Sequence, residues 1–208
     1  MMDRNLGATS ATPGDACTLG LLYQWGRKDP FLGSSSITSS KVASSTISWP
    51  STVKSDPEKG TIEYATKNPT TFITANKDNK DWHYASDKTR WASSELEKSI
   101  YDPCPIGWRV PDWEIWRNAG FDDHIYDKNN KGISFSLSSS MTTWYPSTGC
   151  LSYNLGELVY LGYGEGYYWS ASVSTTNGLT LYFNNSGAVS CPAYDYFSYG
   201  CAVRCVKE

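Results

Sequence analysis

The chain is short of charge, short of histidine and without any long apolar run, and each shortage excludes something. Only 19% of its 208 residues are charged, and the formal net charge is −3. No block of Lys and Arg is present, which argues against a nucleic-acid partner. No window is long and apolar enough for a transmembrane helix, so no membrane span is expected. The opening residues, MMDRNLGATSATPGD, lack the apolar core of a signal peptide. The expectation is an excised domain or a chain trimmed of its export signal, with a cytoplasmic or phage-borne protein as the alternative. No GxSxG, HExxH, Walker or GxGxxG pattern occurs. The two histidines, His83 and His124, have no evident partner for base catalysis, although a Cys nucleophile near His124 stays open. The six cysteines, Cys17, Cys104, Cys150, Cys191, Cys201 and Cys205, form no CxxC pair. A zinc site is therefore poorly supported, no cofactor is implied, and buried or disulfide-bonded cysteines are the favoured reading.

What the chain has in quantity is rings: nine Trp and fifteen Tyr within an aromatic content of 14%. Six of the tyrosines lie in the tail, Tyr167 to Val206. Here Tyr167 to Ser170, Leu179 to Phe183 and Ala202 to Val206 read as short alternating strands bounded by Gly, Asn and Ser. Tyr194, Asp195, Tyr196, Ser198 and Tyr199 are read as a connection, because successive strand residues point to opposite faces. Tyr mixed with Ser, Gly and Asn is the composition of a binding surface, where rigid amphipathic rings supply contact area at low entropy cost. A protein ligand fits that composition, and sugar stacking on rings keeps a glycan ligand open. Most of the Trp are expected in the core.

Upstream, the apolar run from Leu19 to Trp25 is either a short strand or a short buried helix. Residues 27–100 read as a long loop-rich insertion whose 27–80 part carries one or two short strands on anchors such as Phe31, Ile37, Val42, Ile47, Trp49, Ile62, Phe72 and Ile73. Ser93 to Glu95 opens a possible helical turn. In YDPCPIGWRVPDWEIWRNAGF, two prolines keep residues 104–111 extended. Asp112 then caps a helix at roughly 112–119, with Ile115, Trp116 and Ala119 toward the core and Gly120 as its stop. Asp127 to Gly132 is read as a turn rather than a calcium loop, because Lys131 occupies a ligand position and the distal Glu is missing. Ile133, Phe135 and Leu137 alternate as a strand. Asp122-Asp123 is taken as a solvated turn, and Asn184-Asn185-Ser186 matches a glycosylation acceptor pattern that is frequent by chance.

Five motifs in order carry a resemblance: MDRNLGA, YQWGRKDPF, DPCPIGWRVP with its following Trp-containing helix, GYYWSAS and the closing VRCVK. Together they resemble the major paralogous domain named after Fibrobacter succinogenes, in the C-type lectin-like superfamily, over Asp3 to Lys207. The tail further resembles the variable region of proteins diversified by diversity-generating retroelements. In that likeness Trp169, Ser170, Leu181, Phe183, Pro192, Ala193, Gly200, Val203 and Arg204 are framework-like. Ser174, Thr176, Asn177, Thr180, Tyr182, Ser190, Tyr194, Asp195, Tyr196, Ser198 and Tyr199 are diversified-looking and become the candidate ligand-binding residues. Cys191 and Cys201 are further candidates for diversification and would then be unpaired. The resemblance implies a disulfide between Cys104 and Cys205. Cys150 departs from the family, which has an aromatic residue there, so another disulfide stays open. The calcium-site motifs of animal sugar-binding lectins are absent, and no counterpart of the catalytic cysteines of the related formylglycine-generating enzymes is seen.

The resulting expectation is one α+β domain over 1–208 with a C-type lectin-like fold: terminal strands together, a helix over a twisted antiparallel sheet, and long loops on top. Residues 167–206 would form the ligand-binding tail. The implied protein is a non-enzymatic adhesin or receptor at the cell surface or outside the cell, binding a protein or glycan. A structural fimbrial or surface subunit and an enzyme on the same fold are the competing readings.

Overall fold

The computed structural model describes residues 1–33, 50–91, 98–118, 123–138 and 141–208. Among them the first half contributes strands β1 (Leu21–Gln24), β2 (Pro30–Leu32) and β3 (Ser51–Lys54), helix α1 (Ile62–Lys67), strands β4 (Thr71–Thr74) and β5 (Trp108–Arg109), and helix α2 (Trp113–Asn118). The second half is all strand but for short turns: β6 (His124–Asp127), β7 (Gly132–Ser138), β8 (Met141–Pro146), β9 (Cys150–Leu151), β10 (Leu158–Val159), β11 (Gly166–Val173), β12 (Gly178–Phe183), β13 (Val189–Asp195), β14 (Gly200–Ala202) and β15 (Val206–Lys207). The described residues are thus sheet-rich with two short α-helices.

An eight-stranded sheet runs β10-β9-β14-β11-β12-β13, with β1 on β14 and β2 on β1. It is antiparallel except where β11 meets β14, and a separate pair, β3 with β4, is also parallel. Register assigns the side chains to faces. Tyr167 pairs with Tyr182 and Trp169 with Thr180, while Tyr168 pairs with Leu181. Because the strand period is two, Tyr167, Trp169, Thr180 and Tyr182 share one face and Tyr168, Leu181 and Phe183 the other. Two cores follow. The first holds Trp25, Trp91, Cys150, Trp169, Phe197 and Cys201. The second holds Leu22, Trp116, Phe135, Tyr145, Tyr168 and Phe183. Helix α2 packs on β11, β12 and β13 and sends Trp116 into the second core, where its Nε1 donates to Tyr145 Oη at 3.2 Å.

The motif residues build the scaffold. Arg204 is buried, and its Nε and Nη2 both donate to Asn5 Oδ1, at 3.1 and 2.8 Å. Its Nη1 donates to Trp144 O at 2.6 Å, and the guanidinium lies 3.9 Å from the Tyr145 ring centroid. Asn5 in turn donates to Leu19 O and Tyr168 Oη. Three indole N–H groups tie distant segments together: Trp82 donates to Trp25 O, Trp25 to Ser170 O and Trp169 to Tyr23 O, at 2.8, 3.0 and 2.8 Å. Gln24 Nε2 bridges Ile73 O and Ser198 O. Asp102 accepts the amides of Cys104 and Val110, which fixes the extended segment whose Cys104 is disulfide-bonded to Cys205. The chain ends lie together, with Met2 N donating to Cys205 O and Leu6 N to Val203 O.

Several expectations need amending. The 19–25 run is strand, not helix. The described residues of 27–80 hold three strands and a helix: α1 is capped by Thr61, whose Oγ1 accepts from Tyr64 N at 3.1 Å. The helix expected at 112–119 spans Trp113–Asn118, and the Asp112 carboxylate pairs with Arg109 Nη1 at 2.8 Å. Tyr194 and Asp195 end a true strand, β13, at the edge of the sheet, a position that tolerates Pro192. The proposed turn at Ser93–Glu95, the anchors Ile37, Val42, Ile47 and Trp49, Ala119 with the stop at Gly120, and Asp122 lie outside the described residues.

Candidate ligand-binding face

The face carrying Trp169 is covered by Trp25, Trp91 and Phe197 at one end and lined by tyrosines at the other. The Tyr167 and Tyr182 rings lie 5.0 Å apart, and Tyr160 lies 5.8 Å from Tyr167. Tyr160 reaches that position with φ of 65°, in the left-handed region, where a bulky residue is an outlier costing on the order of 1–3 kcal/mol. A second group joins Tyr196 and Tyr199, stacked at 6.3 Å, through Tyr153, whose ring is 5.0 and 5.1 Å from theirs. Gly149 lets the β9 entry pass close to this layer: its φ is 59°, and a Cβ there would sit 2.4 Å from Val159 O.

Two carboxylates are set among the rings. Tyr167 Oη donates to Glu165 Oε2, and Thr180 Oγ1 donates to Asp195 Oδ2, each at 2.7 Å. None of the ion pairs among the described residues involves either acid. Burial pushes the Asp195 carboxyl up, against the Thr180 bond that pulls it down. The hydroxyls of Tyr167 and Tyr199 and the thiols of Cys150 and Cys201 are also raised, first by burial and then by neighbouring negative charge. Cys150 and Cys201 lie on facing strands, next to the Leu151–Gly200 pair, and are free thiols, as are Cys17 and Cys191. Burial moves the Cys191 thiol up to about 11.

The candidate residues divide by position. Tyr194 is 64% and Tyr196 36% exposed. Tyr182 and Tyr199 are half-buried, and Ser190 and Thr176 are exposed. Thr180 and Ser198 are both 0% exposed. Thr180 holds Asp195 from beneath, and Ser198 Oγ donates to Lys80 O at 3.1 Å, so both brace the face rather than form its surface. Ser174, Thr176 and Asn177 bond one another in the β11–β12 turn. Tyr194 pairs with Leu179, which places it across the sheet from Tyr182 and Asp195. A cleft of about 490 Å³ joins Thr176 and Tyr196 to Lys80 and Lys88, and the Lys88 ammonium donates to Thr175 O. Another of about 370 Å³ lies between Tyr126, Tyr163 and Asn185, and Tyr126 packs on Phe183 of the opposite face.

Sequence reasoning did not single out Tyr153, Tyr160 or Glu165. The signal for Tyr160 and Glu165 is the Tyr-Gly-rich run from Tyr160 to Tyr168, where rings alternate with residues that leave them room; Tyr153 has no such signal. Among the described residues no three His, Cys, Asp or Glu side chains gather where a metal ion could be held, and no helix is long and apolar enough to cross a membrane. No protein-family model, curated protein or solved structure matches this chain.

Proposed function

We propose that the chain is a non-enzymatic ligand-binding protein, built on a C-type lectin-like scaffold of the kind named after Fibrobacter succinogenes and diversified in its tail by a retroelement. It captures a protein or glycan ligand outside the cell. One observation carries the reading: most framework-like residues of the tail are buried, while several of its diversified-looking residues lie on a ring-rich surface. Trp169, Leu181, Phe183, Val203 and Arg204 are buried, while Tyr182, Ser190, Tyr196 and Tyr199 line or border the open part of one face. The Cys104–Cys205 disulfide supports an oxidising compartment.

Two experiments test this. Sequencing around the gene should find a near-identical template repeat, differing at adenines, beside a reverse transcriptase; its absence removes the diversification part of the reading. Replacing Tyr194 and Tyr196 with Ala should change stability by less than about 0.5 kcal/mol, as for exposed positions generally. The half-buried Tyr199, packed on the first core, should cost about 1–2 kcal/mol, a part of the loss for a fully buried ring. A cooperative collapse of the Tyr196→Ala variant in thermal melts makes that ring structural and sinks the binding-face reading.

A further inference from the structure

We infer that the tyrosine face takes a cationic group, the Lys or Arg side chain of a protein ligand, seated between the Tyr160–Tyr167–Tyr182 rings and the carboxylates of Glu165 and Asp195. The inference rests on the binding-face reading above and specifies its ligand. Three observations support it. First, the rings touch in series, and ring faces attract cations through their quadrupole. Second, Glu165 and Asp195 stand among those rings with hydroxyl partners only; the ion pairs among the described residues leave both out. Burial disfavours the Asp195 carboxylate, which has no counter-charge, so the face is electrostatically complementary to a positive guest. Third, the charged groups felt by the shifted neighbours are all acids or other weak acids. Burial raises Tyr167, Tyr182, Tyr199, Cys150 and Cys201, an Asn184 hydrogen bond opposes it at Tyr182, and no lysine or arginine is a cause at any of them.

The bearer of the cation follows from the surroundings. β13 is the terminal strand in the order of the eight-stranded sheet, and its Ser190 lies opposite Tyr182. An edge strand offers unpaired backbone groups to an extended peptide. The second ring group, Tyr153 with Tyr196 and Tyr199, extends the contact area beyond what a single small cation covers. A polypeptide presenting a basic side chain meets all of these features.

The test is selection of a random peptide library displayed on phage against the full chain, followed by calorimetric titration with the synthetic selected peptides. The expected peptides are enriched in Lys or Arg. Their affinity should fall about tenfold or more in Asp195→Asn and in Tyr182→Ala, while thermal melts show both variants folded. Glu165→Gln provides a second acid removal should either of those fail to fold. Selected peptides without basic enrichment, whose binding is nonetheless lost in Tyr182→Ala, overturn the cation assignment and leave the binding face standing. Binding indifferent to every tyrosine and acid substitution, or no selection above background, overturns both. Equal or tighter capture of phosphatidylcholine vesicles, with the same dependence on Asp195, assigns the cage to a choline headgroup and overturns the protein ligand.

Discussion

Removing the Cys104–Cys205 bond should lower the melting temperature by roughly 9–19 °C. The bridge closes a loop whose ends are 101 residues apart. In the chain-entropy account, a loop of about 100 residues restricts the unfolded chain by about 4.7 kcal/mol. A chain of this size shifts by about 2–4 °C for each kcal/mol. The native geometry should survive the loss, because the same two segments are paired independently, Val206 with Arg109 and Lys207 with Trp108. The Cys104→Ala/Cys205→Ala variant should therefore keep its far-ultraviolet dichroism and melt earlier. Reductant should bring the wild type toward the variant and leave the variant where it is. Thiol titration of the unfolded, unreduced wild type should count the four free cysteines, Cys17, Cys150, Cys191 and Cys201. A variant melting within about 2 °C of wild type, against the 2–4 °C expected per kcal/mol, refutes the argument that this cross-link restrains the unfolded chain. Six titratable thiols refute the bond itself.

Arg204→Met should cost about 2–5 kcal/mol in chemical denaturation, because it leaves Asn5 Oδ1 and Trp144 O as buried acceptors without their donor; a loss under about 1 kcal/mol makes that network incidental. Asp195→Asn should stabilise the protein at pH 7. Burial raises the folded carboxyl above its unfolded value, so wild-type stability falls as pH rises from about 4 through the folded value, and the melting curves of the two proteins should converge as pH drops toward about 4. A variant less stable than wild type at neutral pH contradicts this sign. Tyr160→Gly should leave the melting temperature unchanged or raised, since glycine accepts the left-handed backbone that Tyr160 occupies, yet weaken any ligand that stacks on the ring; a clear drop in stability makes the ring a packing element.

Much of the scaffold was legible because its residues are fixed by local rules. The alternation of Leu179, Leu181 and Phe183 with Gly178, Thr180 and Tyr182 gives a strand whose two sides differ. The prolines around Cys104 enforce an extended segment, and Trp113 to Asn118 forms the expected helix. What escaped depends on partners far along the chain. Nothing near Asn5 announces that Arg204, 199 residues later, will donate to it. Helix α1 lies in Ser-, Thr- and Pro-rich sequence and is held by its Thr61 cap and by packing of Ala65 against Ile73 and Trp82. β13 hid behind Pro192 and its polar tail, and only the sheet reveals that Tyr194 and Asp195 point to opposite sides. The candidate face was legible as a composition; its membership was not, since Thr180 and Ser198 turned inward while Tyr153, Tyr160 and Glu165 joined from outside the tail.

The division of β12 between two faces restricts how this protein can change. Substitution at Tyr182 alters one side and leaves Leu181 and Phe183 in the core. Inserting or deleting a single residue within the strand instead exchanges the sides, placing Leu181 and Phe183 among the carboxylates and Tyr182 against Trp116. Variation along the strands is therefore confined to spelling at constant length. Changes in length are tolerated only where no register is kept, in the turns between β11 and β12 and between β12 and β13. A collection of related sequences obeying this restriction would align without gaps from Gly178 to Phe183 while differing freely at single letters.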